Sequence, residues 1–188
     1  MTVPAVEIER ARWSPMRVGM VLFLVSEAFL FGALFWTYYY LRGLTPGWPP
    51  HSPPATLAVV NTVVLLASSG AIWLGVRAIR KGKEKGLFIC LLATIVLGIA
   101  FLGVTAWEWT HEDFSPWTDA YGSTFYTLTG FHALHVFGGV LLMLALLART
   151  ARHRFAAGGF TAVEVGSLYW HFVDFIWILV FTLVFIIR

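Results

Sequence analysis

Five continuous apolar stretches, at about residues 18–41, 57–79, 87–107, 123–148 and 163–187, leave this chain few ways to fold. Wound as a helix at ~1.5 Å per residue, each is long enough to cross the ~30 Å hydrocarbon layer of a bilayer. Only helices and closed barrels satisfy every peptide N–H and C=O in that layer. The stretches are apolar throughout rather than alternating with a period of two, which disfavours a barrel. The expected fold is therefore an all-α integral membrane protein of five transmembrane helices. Composition agrees, because only 12% of residues are charged, about half the share in an ordinary soluble domain. We divide the chain into a polar N-terminal segment, residues 1–17, and a single membrane domain, residues 18–188. The first segment holds both acids and arginines and shows no cleavage pattern, so the first span is expected to stay in the mature protein.

The connections alternate in charge. Arg10, Arg12 and Arg17 precede the first span, and Arg42 alone follows it; Arg77, Arg80, Lys81, Lys83 and Lys85 fill the second connection. The third carries Glu108, Glu112, Asp113 and Asp119 without a Lys or Arg, and the fourth carries Arg149, Arg152 and Arg154. Basic connections stay in the cytoplasm, so the N-terminus is expected inside and the C-terminus outside. The net charge of +3 is explained by this topology, and nucleic acid is not expected as a partner. Aromatic residues crowd the outer ends: Trp36, Tyr38, Tyr39, Tyr40 and Trp48 at the first outer connection, and Trp107, Trp109, Trp117 and Tyr121 at the second. They read as interfacial anchors. Five prolines between Pro46 and Pro54 make the first outer connection a stiff loop.

Small residues mark where helices approach. In the second span Ser68, Ser69 and Gly70 lie about two turns after Asn61, a pattern that suits close packing with hydrogen bonds across the contact; Gly98, Gly103, Gly138 and Gly139 read likewise. Cys90 is the single cysteine, so neither an intrachain disulfide nor a cysteine metal cluster can form. No repeat suggests the inverted halves of a transporter.

The chemistry lies in ionisable residues inside the spans. Glu27 sits about ten residues into a helix that enters from inside, ~15 Å deep, and His132, His135, His171 and Asp174 reach a similar depth. Polar groups there are expensive and need partners. Residues three apart share a helix face, so His132 and His135 are expected to point one way, and His171 and Asp174 to form a carboxylate–imidazole pair. Three readings stay open: a hydrogen-bond network that fixes packing, a proton-handling site, or histidine ligation of a haem or metal. Glu27 has mainly apolar neighbours, and Glu27→Gln is expected to alter proton-linked behaviour more than assembly.

Several stretches resemble a known family. GMVLFLVSEAFLFGALFWTYYY (Gly19 to Tyr40), VNTVVLLASSGAIW (Val60 to Trp73), YGSTFYTLTGFHALHV (Tyr121 to Val136) and YWHFVDFIWILVF (Tyr169 to Phe181) are similar to subunit III of the haem–copper oxidases. The likeness is to the cytochrome c oxidase type in its short, five-helix bacterial form. It covers four of the five spans and places Ser26 and Glu27 at the family's carbodiimide-reactive glutamate. It implies a non-catalytic subunit of a proton-translocating terminal oxidase in the bacterial plasma membrane. Such a subunit packs directly against subunit I, joins subunit II and other respiratory subunits, holds phospholipid and supports proton uptake. Haem and copper are then expected in the partner subunits and none on this chain, with Glu27, His132, His135, His171 and Asp174 as structural or proton-linked positions. Longer relatives carry two further N-terminal helices, so their lipid cleft is not carried over. Glu108 keeps the family's glutamate, whereas Thr105 stands where a glutamine is common and is assigned no role. The alternatives are the homologous subunit of a quinol oxidase, a nitric-oxide-reductase accessory protein, or an independent haem-binding or proton-translocating membrane protein.

Overall fold

The computed structural model describes residues 14–51, 53–152 and 160–187. Arg10, Arg12 and Arg154 lie outside them. Five helices are long and apolar enough to cross a membrane: α1 Pro15–Leu44, α2 Ala55–Arg80, α3 Glu84–His111, α4 Ala120–Ala151 and α5 Thr161–Phe181. A π-helical turn, Thr182–Ile186, prolongs α5. No strand occurs among the described residues.

Local chemistry sets the ends. Ser14 accepts from the Arg17 N–H and Pro15 opens α1, a pairing suited to a first turn whose N–H groups lack partners. Between α2 and α3 the chain reverses within three residues, because Gly82 takes a positive φ of 70° that glycine adopts without steric cost. Asp119 caps α4, accepting from the Gly122 N–H at 2.7 Å.

The long α2–α3 hairpin packs along its length and α4 and α5 complete the bundle, while α1 packs mainly against α4 and α5 and leaves most of its surface open. Trp170, wholly buried on α5, is the centre of the core. Its ring lies against Gly98 of α3 and Gly139 of α4, where an added Cβ would come within 2.8 Å of ring carbons at either glycine. Its Nε1–H donates to Ser68 Oγ of α2 at 2.9 Å. One side chain thus holds three other helices, which explains the small residues at 68, 98 and 139. Indole burial also satisfies its one polar atom, without which the desolvation cost would be ~1–3 kcal/mol.

Other expected contact residues divide. Asn61 is buried and donates to Thr105 Oγ1 at 3.3 Å, so Thr105, to which no role was assigned, anchors α3 to α2. Gly70 is exposed, and both it and Gly103 have nothing within 4 Å of an added Cβ. Neither is a packing site within this chain, because each sits on the outward face of its helix. The aromatic anchors divide too. Trp36, Tyr40 and Trp117 are exposed, but Tyr38 and Tyr121 are buried in the core. Trp48 reaches back from the proline-rich loop and stacks edgewise on both, with centroids 5.2 Å from each. That loop is fastened to the bundle.

Candidate functional site

Glu27 and His135 meet at mid-bundle. Glu27 Oε2 lies 2.9 Å from His135 Nε2, joining α1 to α4, and both side chains are largely buried at 18% and 12% exposure. The other ring nitrogen, Nδ1, donates to the Phe131 carbonyl one turn earlier at 2.7 Å. Tyr169 of α5 donates its hydroxyl to the His135 carbonyl at 2.9 Å, and the Phe31 ring closes the imidazole edgewise at 5.1 Å. Glu27 therefore finds its partner on another helix, beyond its mainly apolar sequence neighbours.

His132 does not share this site. It is wholly buried between Phe101 and Trp177, with ring centroids 5.5 and 5.0 Å away, and neither nitrogen has a hydrogen-bond partner among the described residues. The expectation that the two histidines point one way is corrected by geometry. Three residues of α-helix leave about 60° of rotation between side chains, enough to send one into the core and the other to α1.

The expected His171–Asp174 pair does not form either. His171 bridges Ser69 Oγ of α2 at 2.6 Å and Ser167 Oγ one turn earlier on α5 at 3.1 Å. A neutral imidazole suits two hydroxyls, one nitrogen donating and the other accepting. Asp174 is buried, and neither oxygen forms a hydrogen bond among the described residues, although Ser69 lies near enough to interact with it. Among the described residues no three His, Cys, Asp or Glu side chains gather as a metal site.

Two polar clusters at the bundle ends escaped the sequence reading. At one end Glu164, in the first turn of α5, receives Arg17 from α1 and Arg80 from α2, the latter at 2.8 Å. An apolar groove of about 560 Å³ runs from these groups along Val18, Val21, Leu22 and Leu168. The signal was a lone acid at the start of a span whose connections are otherwise basic. At the other end His51 Nε2 lies 2.8 Å from Asp119 Oδ2, and its ring stacks on Phe114 at 4.7 Å. Burial pushes the Asp119 carboxyl up, but hydrogen bonds from the Gly122 N–H and His51 outweigh it and hold the group below its ordinary value. Glu112 goes the other way: burial and then the Asp113 charge raise it against the pull of His51. Glu108 is buried a turn earlier on α3, with Oε1 unpartnered among the described residues.

This architecture has known relatives. Residues 9–187 match the family model described as cytochrome c oxidase subunit III. The chain is 39% identical to the cytochrome c oxidase subunit 3 of Thermostichus vulcanus, over 97% of its own length and 94% of the relative's. It is 41% identical to a probable cytochrome c oxidase subunit 3 of Mycobacterium bovis, over 91% of this chain and 87% of that one. With the cytochrome c oxidase subunit 3 of Branchiostoma lanceolatum the identity is 36%, over 92% and 69%. A five-span bundle matched along nearly its whole length settles the grouping, and the chain belongs to the cytochrome c oxidase subunit III family.

Proposed function

We propose that this chain is the non-catalytic third subunit of a proton-translocating cytochrome c oxidase in a bacterial plasma membrane, carrying neither haem nor copper itself. The family match from residue 9 to residue 187 carries the reading. The subunit packs against subunit I, stabilises it, and assists proton uptake from the cytoplasmic face, with subunit II and the redox centres alongside. The basic connections, Arg77 to Lys85 and Arg149 to Arg152, support a cytoplasmic N-terminus and an outer C-terminus, because translocation retains positive loops. Mid-depth Glu27 and His135 are the pair best suited to the proton-linked role, since ionisable groups in a span are costly unless used. A phospholipid fits the α1–α5 groove: an acyl chain would lie on Val18, Val21 and Leu22, with its phosphate at Arg17 and Arg80.

The test is purification of the chain from its native membrane in mild detergent, recording the reduced-minus-oxidised spectrum and oxygen uptake. The expected result is an a-type haem spectrum and cytochrome c oxidation, with haem following a larger subunit when the complex is dissociated. Quinol oxidation would move the chain to a quinol oxidase. Haem that stays with this chain after its partners are stripped would overturn the non-catalytic reading.

A further inference from the structure

Three arginines meet one carboxylate where α1, α2 and α5 converge. Both oxygens of Glu164 are taken, Oε1 by Arg80, at 2.8 Å from Nη2 and 3.0 Å from Nε, and Oε2 by Arg17. Arg77, one turn before Arg80 on α2, has no carboxylate partner among the described residues; its guanidinium lies over the Trp73 ring, 3.7 Å from the centroid. Trp73 sits a turn nearer the membrane centre, so the cation is turned down along the span. An arginine that faces lipid extends its head toward the surface instead.

Below Arg77 the polar track continues. Ser69, Trp73 and Arg77 follow one another four residues apart and form one stripe of α2, with Ser167 and His171 as the facing stripe of α5. The stripes join where His171 bonds Ser69 Oγ at 2.6 Å and Ser167 Oγ at 3.1 Å. From Arg77 to Ser69 the track descends ~12 Å. Arg77 is exposed, and Ser69 and His171 are half-buried. They border a groove of about 350 Å³ between α2 and α5, which shares Arg80, Glu164 and Leu168 with the α1–α5 groove.

We propose that the α2–α5 groove receives an aspartate or glutamate from a membrane helix of a partner subunit, with Arg77 as its anchor. The inference rests on the reading of this chain as one subunit of an oxidase and names one of its contact surfaces. Three arginines against one glutamate leave a surplus of two positive charges, and a carboxylate supplies the complement. A planar guanidinium gives parallel N–H donors to both carboxylate oxygens while its face stays on Trp73. A phospholipid suits this groove less well. Its phosphate matches Arg77, but its acyl chain would then lie on Ser167 and His171, whereas the α1–α5 groove offers Val18, Val21 and Leu22. A protein side chain ends at the guanidinium, and the helix that carries it covers the polar stripes from hydrocarbon, where polar groups are costly. In a symmetric pair a second copy of this chain would bring its own Arg77 to the contact.

The test puts the photo-reactive aromatic p-benzoylphenylalanine in place of Trp73, 47% exposed, in the assembled complex with Arg77 intact. The cross-linked peptide is then sequenced by mass spectrometry. The expected product is a transmembrane peptide of another subunit with an Asp or Glu within about one turn of the linkage. Cross-linking to lipid alone, to a second copy, or to a segment without an acid overturns the proposal. A second readout is the fraction of membrane-inserted chain that stays in the complex. Arg77→Glu is expected to lower it about tenfold at equal detergent, and Lys81→Glu, the same charge change at an exposed position outside the groove, to leave it unchanged. Replacing the cross-linked acid by Arg in the Arg77→Glu background is expected to restore retention. Undiminished retention in Arg77→Glu, or no restoration by the swap, overturns the proposal. Neither readout uses the haem spectrum: a chain that co-purifies with haem and fails these tests loses this contact alone, whereas one without a haem-bearing partner loses the oxidase reading beneath it.

Discussion

His132 and His135 show how one turn of helix separates two chemistries. His132 spends its ring on Phe101 and Trp177, whereas His135 is fixed at both nitrogens and carries the link to α1. Depth was readable from residue count because rise per residue is nearly constant. Partner was not, since rotation depends on the orientation of the neighbouring helix. At the outer end a similar long-range pairing, His51 with Asp119, gives a residue-scale prediction. Asp119 is lowered from its ordinary 3.8, so its ionised form is favoured by folding. For a depressed acid the stabilisation is present above the unfolded value and disappears as pH falls through the folded one. Asp119→Asn is therefore expected to melt below wild type at neutral pH, with the gap closing as pH drops below about 4. Thermal unfolding of the complex followed by tryptophan fluorescence at several pH values checks this; a gap that is constant with pH would assign the effect to lost capping alone.

Among elements, α1 stands apart. Its apolar surface is largely open, with Leu22, Phe29 and Trp36 exposed, so its attachment depends on a few fixed contacts. One is the convergence of Arg17 and Arg80 on Glu164, whose side chain is only 10% exposed. Exposed ion pairs contribute ~0–1 kcal/mol, with more expected where the carboxylate is sheltered and shared. Glu164→Gln should lower the stability of the α1–α5 contact by about 1 kcal/mol, read as earlier release of this subunit on heating the complex. Double-mutant cycles should give a larger coupling for Arg17, 30% exposed, than for Arg80, 58% exposed. Equal, negligible couplings would mean that the ion pairs at Glu164 do not fasten α1. This contact was hidden in the sequence, because Arg17, Arg80 and Glu164 belong to three different helices and no local spacing relates them. The helices themselves were legible to within a few residues, since their limits follow from hydrophobic length and from Pro15, Gly82 and the Asp119 cap. Trp170 was not foreseen as the core's centre. The small residues at 68, 98 and 139 were visible as gaps, but what fills a gap is decided by the fold.

For the whole molecule, the two polar ends differ in sign, and the bundle turns that difference into an orientation. The α2–α3 turn presents Lys81, Lys83 and Lys85, all exposed, while the 112–119 connection presents Glu112, Asp113 and an exposed Thr118 at the opposite end of α3. Membrane insertion retains Lys and Arg in the cytoplasm and is nearly indifferent to acids. The proposed topology therefore puts the Lys83 end inside and the Thr118 end outside, with the Arg17–Arg80–Glu164 cluster at the Lys83 end. In intact cells a membrane-impermeant maleimide is expected to label a cysteine placed by Thr118→Cys. A cysteine placed by Lys83→Cys should react only after the membrane is opened. The two sites are expected on opposite sides of the membrane, because a single helix of 28 residues, ~42 Å long, runs between them. Labelling in the reverse order would invert the molecule and put Glu164, rather than Asp119, on the outer face.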